Sequence, residues 1–73
     1  MKKFGKRVRE LRKEKDISQE ELAHRAELHR TYIGMIERGE KNITLINIEK
    51  VANALQIEVK ELLAINDKTL HRK

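Results

Sequence analysis

Apolar residues recur every three or four positions along this chain and never alternate with period two for long, so the regular element available to its core is the amphipathic helix. Phe4, Val8 and Leu11 predict a helix over 3–15 with its lysines and arginines outward. Ser18, followed three residues later by Glu21, predicts a capping box for a second helix that carries Leu22, Ala23 and Ala26. Ile33 and Ile36, with Gly39 as the stop, predict a third helix over 30–38. Thr44 is placed to cap a fourth, whose stripe is Leu45, Ile48, Val51, Ala52 and Leu55. Val59, Leu62 and Leu63 predict a short fifth over 58–64. The fold class expected is therefore all-α, with one domain over 1–66 and a frayed polar tail over 67–73.

Seventy-three residues lie near the lower limit at which a single apolar core folds unaided, and association with a second copy would help. With no cysteine and no proline, neither disulfides nor a Cys-based metal site can supply the missing stability, and a reducing cytoplasm fits. No apolar run approaches the roughly 18 residues of a membrane span, and the start "MKKFGKRVRE" lacks the apolar core of a signal peptide, so no membrane partner is expected. Phe4 and Tyr32 are the only aromatic residues, which argues against platforms that stack single-stranded bases. Net charge is +5, which favours a polyanionic partner. The surplus sits in residues 1–15, where eight lysines and arginines face Glu10 and Glu14; such a run also fits a simple solvated face.

The stretch "HRTYIGMIERG", residues 29–39, carries the most chemistry. On a helix, Tyr32, Ile33, Ile36 and Glu37 share one side, and Arg30, Thr31, Gly34, Met35 and Arg38 fall within an arc of roughly 140° on the other. Gly34 is thus expected on the outward face, where it costs about 1 kcal/mol of helix propensity and is explained by close approach of something to the backbone. A DNA major groove admits one helix and is read by guanidinium, hydroxyl and methyl groups. Arg30 suits a guanine edge, Thr31 a hydrogen bond or a thymine methyl, Met35 an apolar contact, and Gly34 gives clearance. Each outward position also fits plain solvation. The second helix would cross the DNA backbone with its N-terminus and Gln19 at a phosphate, and Arg38 and Lys41 are further phosphate candidates. Tyr32 divides between packing and a phosphate contact through its hydroxyl. His29 divides between capping the third helix and meeting the DNA backbone.

The stretch "SQEELAHRAELHRTYIGMIERGEKNITLINIEKVANAL", residues 18–55, resembles the helix-turn-helix region of the phage repressor and Cro-type regulators, the Xre family, and the likeness spans about residues 4–64. Within it, "LHRTYI", "IERG" and "NITLINI" are most similar to the controller proteins of restriction-modification systems. The resemblance implies a compact five-helix, lambda-repressor-like domain and a dimeric transcriptional regulator of double-stranded DNA. It implies that Gln19 touches phosphate, that Arg30, Thr31, Gly34 and Met35 face bases, and that Arg12 pairs with Glu37 as a structural ion pair. The family usually has glycine at the turn position held here by Glu27, so either the turn differs or the fold absorbs a left-handed backbone worth on the order of 1 kcal/mol.

His24 and His29 are five residues apart, off the spacing that puts metal ligands on one helix face, and no metal or other cofactor is expected. Catalysis has little support, since no glycine-rich phosphate loop or HExxH occurs and capping explains Ser18. The second half is richer in apolar residues than one small core needs. Ile46, Val59, Leu63 and Ile65 are therefore expected at a two-fold homodimer interface, because one recognition helix reads too few bases for useful selectivity. Two such helices would enter half-sites about one turn apart on a palindromic operator, repressing by occlusion or activating through contact with RNA polymerase. The alternatives are a generic phage or host repressor and an antitoxin-like protein-interaction module.

Overall fold

A computed structural model describes residues 2–64, which form five helices and, among the described residues, no strand: α1 (Lys2–Glu14), α2 (Gln19–Ala26), α3 (Arg30–Glu37), α4 (Leu45–Ala54) and α5 (Val59–Leu62). Ile65, expected at a dimer interface, and the expected tail over 67–73 lie outside the described residues. No helix among the described residues is long and apolar enough to cross a membrane.

The core is built from the stripes that the periodicity marks out. Phe4, Val8 and Leu11 of α1, Leu22, Ala23 and Ala26 of α2, Ile33 and Ile36 of α3, Val51, Ala52, Ala54 and Leu55 of α4, and Leu62 of α5 are all buried. Leu45 departs from expectation: it is 67% exposed, because it opens α4 and lies just past Ala52 at the rim of the buried arc centred on Val51 and Leu55. Asn47 takes its place inside that arc and donates through Nδ2 to the Tyr32 hydroxyl at 3.1 Å, tying α4 to α3. The fifth helix is shorter than expected, a single turn, with the Glu58 amide donating to Glu61 Oε1 at 2.9 Å.

Local chemistry fixes the helix ends. Ser18 Oγ accepts from the Glu21 amide at 2.9 Å and Thr44 Oγ1 from the Asn47 amide at 3.2 Å. Only half of the expected capping box forms around Ser18: the Glu21 carboxylate turns along the helix to Arg25 Nε at 2.7 Å, where an i,i+4 partner is in reach. Four helices end in the same Schellman turn, the left-handed residue being Asp16, Glu27, Gly39 or Gln56.

Two glycines let α1 lie directly on the end of α3. A Cβ on Gly5 would collide with the Ile36 carbonyl oxygen and stand 2.8 Å from that of Glu37. One on Gly39, whose φ is +74°, would stand 2.8 Å from Lys2 Cα. The last turn of α3 is thus clamped, backbone on backbone, by the first turn of α1.

Candidate nucleic-acid interface

Between α2 and α3 the chain turns in three residues, Glu27, Leu28 and His29. Glu27 adopts φ 60°, ψ 41°, the left-handed conformation that glycine would take freely. Two hydrogen bonds hold it there, Leu28 N to Ala23 O at 2.9 Å and Glu27 N to His24 O at 3.2 Å, and Leu28 packs partly against the core. The turn keeps its geometry and the fold absorbs the strain.

The relative placement of α2 and α3 depends on one polar cluster. Arg12 Nε donates to Glu37 Oε2 at 2.6 Å, Arg12 Nη2 to Glu37 Oε1 at 3.1 Å, and Arg12 Nη1 to the Ile17 carbonyl at 2.8 Å. Gln19 Nε2 adds a donor to Glu37 Oε1 at 2.9 Å. The Glu37 side chain is only 3% exposed and that of Arg12 11%, so the carboxylate has exchanged water for three fixed donors. A single anion at the end of α3 thereby locks the end of α1 and the start of α2.

Around this anchor, Arg30 and Thr31 at the start of α3 are exposed, as are Lys41 and Arg38 after its end. Met35 is half-buried. Tyr32 is half-buried against the core with its hydroxyl occupied by Asn47. His29 holds the N-cap position of α3 through its extended backbone, but its exposed side chain makes no capping hydrogen bond.

Gly34 is the correction. Expected open on the outward face, it is buried, because two side chains close over it: an ideal Cβ there would stand 3.2 Å from Arg38 Nη1 and 3.7 Å from Gln19 Oε1. The helical wheel gives its direction correctly, yet a wheel carries no information about cover from another element.

Of the residues expected at an interface between copies, Ile46 is 67% exposed and Leu63 45%, whereas Val59 packs partly on the core. Leu45, assigned by its spacing to the core, joins the exposed group.

Sequence reasoning missed Gly5, Asn47 and the Arg38 Nε to Glu40 Oε2 pair at 3.1 Å. Asn47 left a signal, a polar group inside a buried arc that demands a partner. So did Gly5, a glycine beside the buried Phe4 on the inward face of α1.

The sequence profile of the helix-turn-helix family matches residues 8–62. Control protein C.BamHI of Bacillus amyloliquefaciens is 52% identical over 61 residues, covering 82% of this chain and 75% of its own. The crystal structure of the restriction-modification controller protein C.AhdI from Aeromonas hydrophila superposes with a TM-score of 0.83 at 54% identity, over 84% of this chain and 92% of its own. A variant of C.Esp1396I, bound to its highest-affinity operator site, superposes with a TM-score of 0.74 at 31% identity, over 85% and 92%. With α2, the turn over 27–29 and α3 forming its central unit, the chain belongs to the helix-turn-helix family.

Proposed function

We propose that the protein is a restriction-modification controller, a cytoplasmic, sequence-specific regulator of transcription that binds a palindromic double-stranded operator as a homodimer. The observation that carries this reading is the pairing of a fixed scaffold with an exposed polar face at the start of α3. Glu37 fixes α3 against α1 and α2, while Arg30 and Thr31 at its start stand exposed and Met35 flanks them. Likeness to control proteins over most of their length supports it, and C.Esp1396I, one of these relatives, has been seen on operator DNA.

In this reading Arg30 and Thr31 meet base edges and Met35 a thymine methyl, while Gln19, His29, Arg38 and Lys41 meet phosphates. The Tyr32 hydroxyl, which accepts from Asn47, retains a proton to donate to a phosphate. The domain extends over 1–66. Leu45, Ile46 and Leu63, with the edge of Val59 and with Ile65, meet a second copy, and contact with RNA polymerase is the route to activation.

Selection from random duplexes followed by mobility shifts tests the reading. The expected result is a two-fold symmetric consensus whose affinity falls with salt by about 0.9 log units per phosphate contact per decade of salt. Absence of any duplex binding at low ionic strength refutes it.

A further inference from the structure

Gly34 is buried, and the atoms nearest to where its Cβ would stand belong to Arg38 and Gln19, neither of them a core residue. The covering atoms come from outside α3 on one side and from one turn further along it on the other. Gln19, first residue of α2, brings its Oε1 to 3.7 Å from where a Cβ would be; Arg38 brings Nη1 to 3.2 Å and Cζ to 3.9 Å. Residues four apart on a helix share a face, and a side chain leans back toward the preceding turn, so Arg38 would ordinarily rest on the side chain at position 34. With none there, its guanidinium settles onto the backbone.

Both covering groups are held from their far sides. Gln19 is tethered by its Nε2 to Glu37 Oε1 at 2.9 Å, and Arg38 by its Nε to Glu40 Oε2 at 3.1 Å. The tethers leave the Nη atoms of Arg38 and the Oε1 side of Gln19 converging over Gly34, next to the first turn of α2.

We propose that Gly34 is a positioning residue: its missing side chain is the seat of the Arg38 guanidinium, which holds the Arg38 Nη donors as a phosphate-binding edge next to the first turn of α2, with the Gln19 Oε1 acceptor lining that seat instead of meeting the phosphate. Gly34 thus acts through Arg38 and not through a base. The inference rests on the DNA-binding reading above. A methyl group at position 34 stands at ordinary contact distance from Gln19 Oε1 but crowds the flexible end of Arg38 at 3.2 Å, so the guanidinium must shift by a few tenths of an ångström and loses its seat. The helix is then unharmed and gains propensity, while the phosphate-binding edge loosens.

The test is a cycle of four proteins: wild type, Gly34→Ala, Arg38→Ala and the double variant. Each is titrated with the selected operator and with an unrelated duplex over a range of salt, and melted without DNA. Gly34→Ala is expected to melt at or above wild type and to bind both duplexes about tenfold more weakly. Its salt dependence should be shallower by about 0.9 log units per decade. Adding Gly34→Ala to Arg38→Ala should cost nothing further. An equal loss in both backgrounds, a loss confined to particular base pairs, wild-type binding by Gly34→Ala, or a lower melting temperature each overturns the proposal. Failure of wild type to bind either duplex overturns the DNA-binding reading together with it, whereas the other outcomes leave that reading standing.

Discussion

The Arg12 guanidinium spends its donors inside the molecule, on Glu37 and the Ile17 carbonyl, while Arg30 holds its charge in water at the start of α3. The two arginines should therefore fail in different assays. Replacing Arg12 by Met leaves a carboxylate that is 3% exposed with the neutral Gln19 amide as its remaining donor, and removal of one charged partner from such a pair costs about 3 to 5 kcal/mol. The expected result is a large drop in the urea midpoint; a midpoint within error of wild type would show the pair to be idle. Arg30→Ala should leave the midpoint alone, cost about 1 to 3 kcal/mol in operator affinity and relax preference at one base pair. Lys41→Ala, by contrast, should weaken every duplex alike. Equal preference before and after the Arg30 change would remove it from the reading face. Composition could not separate these arginines, since both are cations on helices. Family likeness proposed the partner of Arg12, and periodicity put Arg30 outward. What neither conveyed was cover: Gly34 points outward on α3 and is buried all the same, under side chains from α2 and from its own next turn.

Helix boundaries were legible wherever a short-range bond sets them. Ser18 and Thr44 cap through the amide three residues on, and Gly39 ends α3 in the left-handed conformation that its position suggested. Elements decided by tertiary packing read less well, as with Leu45, which has the spacing of a core residue but sits at the rim of the buried arc. Three of the four Schellman turns are made without glycine, at Asp16, Glu27 and Gln56. Each places a side chain in a backbone region that disfavours it, an avoidable cost repeated in a small domain. At the turn between α2 and α3, Glu27→Gly should remove that cost and give back part of it as chain entropy, a net gain of about 0.5 to 1 kcal/mol. For a chain of this size that is a rise of a few degrees in melting temperature. Glu27→Ala keeps the strain and serves as the control. If the glycine variant melts no higher than the alanine variant, the left-handed turn stores no strain worth naming. If it melts higher but binds DNA unchanged, the strain has no part in recognition.

Taken as a whole, the molecule closes its core with Phe4 and a set of leucines, isoleucines, valines and alanines, and among the described residues it leaves three further large apolar side chains, Leu45, Ile46 and Leu63, facing outward on its α4 and α5 side. A chain this short recovers little stability from its own interior, so exposed leucine and isoleucine represent unused stabilisation that a second copy can supply. Ile46 projects about 160° from the centre of the buried arc of α4, which makes it separable from the fold. Substituting Ile46→Asp and Leu63→Asp together should leave the helical circular dichroism intact and yield a monomer by sedimentation. The same variant should keep wild-type affinity for a duplex carrying one half-site, because Arg30, Thr31 and the Glu37 cluster are untouched. On a duplex carrying both half-sites it should lose the advantage that wild type gains from binding them as one unit, since each domain then pays separately for its own association. A variant that still sediments as a dimer would move the interface to another face. A monomer that retains full affinity for the paired site would mean that contacts between copies contribute nothing to operator selection.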